Sequence, residues 1–149
     1  MLRYVVRKHP IDMTDIVAQL WNYCHTLRHD GVDYGDYIEQ LTYLLFLKMA
    51  DERDVTIPVE ASWQSLRNAD PTRALKVYEH TLRSLSMEPG ILGDIYTDAE
   101  NRLSNDRNLL QLVGLIDRIA WSDLGVDVQA AAFEGLLEKA AAEGKKGAG

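Results

Sequence analysis

The run at residues 41–47, Leu-Thr-Tyr-Leu-Leu-Phe-Leu, is the feature that most constrains the fold. Wound as a helix it is apolar nearly all round, and such a helix must be enclosed by others. Composition alone would also allow a buried strand. The longer pattern decides between them. Tyr37, Ile38, Leu41, Leu44, Leu45, Lys48 and Met49 fall at helical spacing, and no Gly or Pro follows Gly35 before Pro58. Asp33 or Asp36 can cap the start, because a short side-chain oxygen accepts from the unpaired N–H groups of a first turn. Residues 33–54 therefore read as a central helix of about five to six turns, on the order of 30 Å long. Lys48, Asp51, Glu52 and Arg53 end the apolar run far short of the roughly 20 residues that a bilayer requires.

The rest of the chain supplies partners for that helix. A first helix is expected over residues 13–29, capped by Asp12 or Thr14. Ile16, Leu20, Tyr23 and Leu27 form its apolar line, which Val17, Trp21 and Cys24 widen. Gly31 ends it, since glycine enters the left-handed region without strain. The short connection that follows implies an antiparallel pair. Residues 53–63 read as an extended loop, with Trp63 and Leu66 plugging the core. Asp70-Pro71 reads as a helix start, Asp capping and Pro in first position, for a helix over 71–86. A short helical piece at 91–96 follows the Pro89-Gly90 break. Asp106 is expected to cap a helix over 107–121, and Gly125 separates it from a last helix over 126–143. Residues 1–12 show no helical periodicity and read as a loosely attached leader. Residues 144–149, Gly-Lys-Lys-Gly-Ala-Gly, read as a flexible linker. The fold class is all-α: an irregular bundle of about five or six helices around a central apolar helix at about 33–54.

Composition narrows the function classes. The chain has 149 residues, enough for one domain with its own core. Its net charge is −7, whereas a free-standing DNA binder is usually basic, because phosphate neutralisation supplies most of the affinity. The single Cys24 forbids an internal disulfide and fits a reducing cytoplasm. The opening residues lack the apolar core of a signal peptide.

Residues 20–52 carry a family resemblance. Trp21 lies in the first helix and Arg28 near its end. Tyr34 and Asp36 start the second helix, and Leu44-Leu45-Phe46-Leu47-Lys48 follows. This stretch resembles the opening of the modification (methyltransferase) subunit of type I restriction–modification systems, and a weaker similarity runs from about residue 13 to the end. The family's last helix has an acidic start and an aromatic-Glu-x-Leu-Leu pattern, matched here by Asp127 and by Phe133-Glu134-Gly135-Leu136-Leu137. Ala130 and Gly135 depart from it.

The resemblance implies an N-terminal helical domain, residues 13–143, joined by the 144–149 linker to a catalytic methyltransferase domain. The parent subunit would transfer a methyl group from S-adenosylmethionine to adenine N6. Two such subunits would act with one specificity subunit, alongside a restriction subunit, on DNA. This domain would help grip the specificity subunit and close around the duplex.

The chemistry itself is not expected in these residues. An Asn/Asp-Pro-Pro-aromatic motif would hold the target amine, yet no two prolines adjoin here. No GxGxxG or phosphate-binding loop is present either. No catalytic, cofactor-binding or metal-binding residue is assigned. His25 and His29 would share a helix face, but the sequence His-Thr-Leu-Arg-His lacks the Glu of a zinc protease helix. Cys24 and His25 point about 100° apart on a helix, which disfavours a nucleophile–base pair. Arg28, Tyr34, Asp36 and Lys48 remain as candidates for a surface facing the specificity subunit or DNA. For Lys48 the plainer alternative is a stem packed on apolar surface with its ammonium reaching water.

Two rivals stand beside this reading: a free-standing helical interaction module or regulator, and a small metal-dependent helical enzyme using His25 and His29. Continuation of the reading frame into the methyltransferase motifs separates the first from the main reading, and metal analysis tests the second. Starting the chain at Met13 should change its stability by less than about 1 kcal/mol in urea unfolding, since loosely attached termini add little. Loss of cooperative unfolding would place the leader in the core.

Overall fold

The computed structural model describes residues 13–148, so the leader and Asp12 lie outside it. Among the described residues are seven α-helices: α1 (Met13–His29), α2 (Tyr34–Glu52), α3 (Trp63–Arg67), α4 (Ala74–Ser86), α5 (Ile91–Ile95), α6 (Asp106–Asp117) and α7 (Val126–Ala148). Single 3-10 turns occur at Val59–Ala61 and Trp121–Asp123, and no strand is present among these residues. The all-α class holds.

Helix α2 buries Tyr37, Ile38, Gln40, Leu41, Leu44, Leu45, Leu47, Lys48 and Ala50. It packs against α1, α3, α6, α7 and the 3-10 turn at Trp121–Asp123. Asp33 is its N-cap, its carboxylate accepting from the Asp36 amide at 2.8 Å. Trp63 and Leu66, brought in by α3, and Trp121 are fully buried in the same core.

The ends of α1 and α2 use one device. After α1 the Val32 amide donates to Leu27 O and the Gly31 amide to Arg28 O, with Gly31 at φ +88°. This pattern satisfies the last carbonyls of a helix and requires a left-handed residue. Buried Val32 closes it on the apolar side. After α2 the same pair recurs, Val55 to Ala50 O and Asp54 to Asp51 O, with Asp54 at φ +55°. Aspartate is among the few non-glycine residues that take this conformation.

Several boundaries differ from expectation. Residues 53–63 contain a 3-10 turn and lead into α3, whose start Ser62 caps by accepting from the Ser65 amide at 3.2 Å. Asp70 and Pro71 form a turn rather than the start of α4. The Asp70 carboxylate accepts from the Thr72 amide and hydroxyl, and the helix begins at Ala74. Its early amide at Leu75 is capped from another element: Asp106 of α6 accepts from it at 2.8 Å. Asp106 therefore caps α4, while α6 takes Asn105 as its own cap and ends at Asp117. Helix α7 runs through the residues read as a linker, to Ala148. Ala140, Ala141, Ala142, Lys145 and Lys146 favour helix, and an isolated glycine costs only about 1 kcal/mol against alanine.

Leu45 is completely buried on α2. Leu45→Ala should cost about 2–5 kcal/mol in chemical unfolding, through lost transfer energy and the cavity left behind. A cost near zero would mean that this side of α2 is not core.

Candidate partner surface

The four surface candidates separate into two groups. Arg28 and Tyr34 meet where α1 turns into α2. Trp21 stacks on Tyr34 with ring centroids 5.2 Å apart and planes 17° from parallel. The Arg28 guanidinium lies 4.6 Å from the centre of the same Tyr34 ring. Trp21 is buried, Tyr34 half-buried and Arg28 exposed, so the stack climbs from core to surface. A cation over an aromatic face gains about 0.5–1 kcal/mol at an exposed site, and the ring fixes where the charge sits. Asp36 is half-buried two residues after Tyr34, in the first turn of α2, where a negative side chain complements the helix dipole.

Lys48 belongs elsewhere. It lies about 21 Å further along α2 than Tyr34, at 1.5 Å per residue. It is only 8% exposed, and its ammonium is 2.9 Å from Glu52 Oε2. The same carboxylate accepts from the backbone amides of Trp121, at 3.1 Å, and Ser122, at 2.6 Å. Lys48 is thus neither a free surface cation nor a side chain reaching for water: it neutralises a carboxylate that staples the 3-10 turn to α2. Burial opposes ionisation of Glu52. The Lys48 ammonium and the Ser122 donors outweigh it and hold this carboxyl below the ordinary glutamate value.

Other buried polar groups also brace the helices against one another. Gln40, fully buried, accepts from the Tyr78 hydroxyl at 2.6 Å and donates to Glu100 O at 2.9 Å, tying α2 to α4 and to the segment before α6. Tyr37 donates to Leu20 O, and Tyr96 donates to Tyr43 O at 2.7 Å. Asp117 accepts from Trp63 Nε1 at 2.8 Å and pairs with Arg67 at 2.9 Å. Burial raises the phenols of Tyr37, Tyr78 and Tyr96, so they remain protonated donors. Tyr23 is pushed up to about 12, by burial and then by the Asp30 charge. The Lys48–Glu52 pair was legible as an i, i+4 spacing. Nothing local in the sequence announces that Glu52 reaches Trp121, or that Gln40 reaches Tyr78.

No strand is present among the described residues from which a nucleotide-binding loop could spring. Gly31 and Gly90 serve helix ends, and the Gly93 backbone lies so close to Glu88 O that a Cβ there would sit 1.9 Å away. Cys24 is buried while His25 and His29 are exposed, and no three His, Cys, Asp or Glu side chains converge among the described residues. None of the described helices is long and apolar enough to cross a membrane.

An all-α domain whose buried polar groups brace helices is the class that the geometry defines. The chain belongs to the HsdM N-terminal domain family, which it matches over residues 16–119. It is 33% identical over 143 residues to the type I restriction enzyme StySPI methylase subunit of Salmonella potsdam, covering 91% of this chain and 27% of that protein. It is 30% identical over 143 residues to the EcoKI methylase subunit of Escherichia coli K12, with the same coverage. The crystal structure of the EcoKI M protein superimposes with a TM-score of 0.64 at 28% identity, over 72% of this chain and 23% of that one. The chain therefore spans about a quarter of the length of these curated relatives.

Because the Glu52 carboxyl is held below its unfolded value, its stabilisation is complete above the ordinary glutamate range and is lost as pH falls through the folded value. Glu52→Gln should cost about 1–2 kcal/mol at pH 7, by removing the charge that pairs with Lys48 and accepts from the Trp121 and Ser122 amides. The difference from the parent chain should shrink below roughly pH 4, near the ordinary glutamate value. Urea unfolding at neutral and acid pH reads both, and a difference that does not vary with pH would overturn the assignment.

Proposed function

We propose that this chain is the assembly domain of a DNA adenine-N6 methyltransferase subunit of a type I restriction–modification system. The carrying observation is its family membership over residues 16–119, together with the likeness to the EcoKI M protein. The parent subunit transfers a methyl group from S-adenosylmethionine to adenine. The donor and the target base are held by the remainder of the parent, because these residues offer neither the donor loop nor the amine-holding motif. The partners of the assembled enzyme are a specificity subunit, a second methyltransferase subunit, a restriction subunit and DNA, and it works in the cytoplasm.

Within that assembly the Trp21–Tyr34–Arg28 stack is the part best suited to meet a partner. It presents a cation held at a fixed place by a ring that is itself anchored in the core. A pre-positioned side chain loses less freedom on binding than a mobile one. Lys48 acts from within, by holding the end of α2 to the segment that launches α7.

The test is deletion of residues 13–143 from the full subunit, assayed for methylation with the specificity subunit present. Methylation should be lost, because positioning is what the reaction draws from this domain. The 149-residue chain alone should bind no S-adenosylmethionine in calorimetry. Full activity after deletion would sink the assembly role, and donor binding by the chain alone would sink the claim that its chemistry lies elsewhere.

A further inference from the structure

The chain carries net charge −7, yet one groove on its surface has the opposite balance. It lies between α3 and α4, encloses about 730 Å³, and presents Arg73, Lys76 and His80 against the single carboxylate of Glu60. Lys76 and His80 are four apart on α4 and so share a side, Arg73 stands just before the helix and lines the same groove, and all three are exposed. No carboxylate lies within ion-pair distance of Arg73 or Lys76 among the described residues, and the exposed Asp70 carboxylate interacts with Arg73 at longer range. Asn68, Gln64, Ser62 and Ser65 line the opposite wall. The Gln64 carbonyl is taken by Arg67, which leaves its amide hydrogens for a ligand.

Further along α4, Arg83 lines a different cleft together with Glu79, Asp98 and Glu100. The Ser62 and Ser65 hydroxyls both donate to Val59 O, so the donors left open in the groove are the Arg73 and Lys76 cations and the side-chain amides of Gln64 and Asn68, a set that fits phosphate oxygens.

The geometry points to the α3–α4 groove as a seat for the sugar–phosphate backbone of duplex DNA, outside any contact with bases. This rests on the reading above that the chain works in a DNA-methylating complex. Two full cations on an otherwise acidic domain give too little counterion release to hold DNA alone. They add to binding once the rest of the complex has placed the duplex beside them. The groove then contributes affinity and salt dependence but no sequence preference.

The experiment uses the complete methylase subunit assembled with its specificity subunit, binding random-sequence duplex DNA over a series of salt concentrations. The paired substitution Arg73→Gln with Lys76→Gln removes charge from exposed positions while keeping long polar side chains. The plot of log affinity against log salt should flatten by about 1–2 for each copy of this chain that touches DNA, since each lost phosphate contact is worth about 0.9. Arg73→Lys with Lys76→Arg should restore the slope, and Arg83→Gln should leave it unchanged. An unchanged slope in the double Gln variant with assembly intact would overturn the proposal. Loss of the specificity subunit from that variant would overturn it as well, by making the groove a protein seat. These outcomes are separate from the 13–143 deletion, whose failure would remove the assembly role whatever the slope does.

Discussion

The structure depends on enclosing α2 without leaving its buried polar groups unpaired. Nine residues of this helix are buried, and Gln40 and Lys48 are among them. A buried amide or ammonium is costly unless it is hydrogen-bonded and, for a charge, countered. Tyr78 and Glu100 O answer Gln40, and Glu52 answers Lys48. Each answer fixes another element in place: α4 in the first case, the turn before α7 in the second. Apolar packing brings the helices together, and these few polar pairs select one arrangement among the many that would bury similar area.

Helix positions were largely legible because the apolar residues of α1, α2, α4 and α6 repeat at helical spacing, and the glycine after α1 marks its end. What was not legible is long-range. Asp70-Pro71 has the local chemistry of a helix start, yet the Asp70 side chain closes a turn on Thr72 and the helix begins later. Asp106 has the chemistry of a cap and is one, but for α4 rather than for its own helix. Residue 54 takes the conformation expected of glycine while being aspartate, so the end of α2 lacks the usual signal. Local chemistry reported that a cap or a turn exists and not which amide it serves.

The candidate surface divides along the same line. Arg28 and Tyr34 come together because each sits beside the α1–α2 turn, a proximity that their sequence separation already favours. Lys48 follows an apolar run, which predicts a stem packed on apolar surface, and it stood besides as a candidate for a partner surface. Its role is decided by Trp121 and Ser122, some seventy residues away. The basic groove between α3 and α4 was hidden for a different reason: in a chain of net charge −7, Arg73 and Lys76 come to line one groove with a single carboxylate only through the fold.

The Asp106 cap has a consequence for how the domain opens. A helix capped by its own preceding residue can form and fray alone. The Leu75 amide, by contrast, is satisfied by a carboxylate 31 residues away, on α6. The first turn of α4 is therefore protected only while α6 is docked, and the two should exchange amide hydrogens as one cooperative unit. Exchange at Leu75 thus reports on the seating of α6. Any partner that tilts α6 would loosen α4 at its amino end, beside Arg73 and the groove it lines.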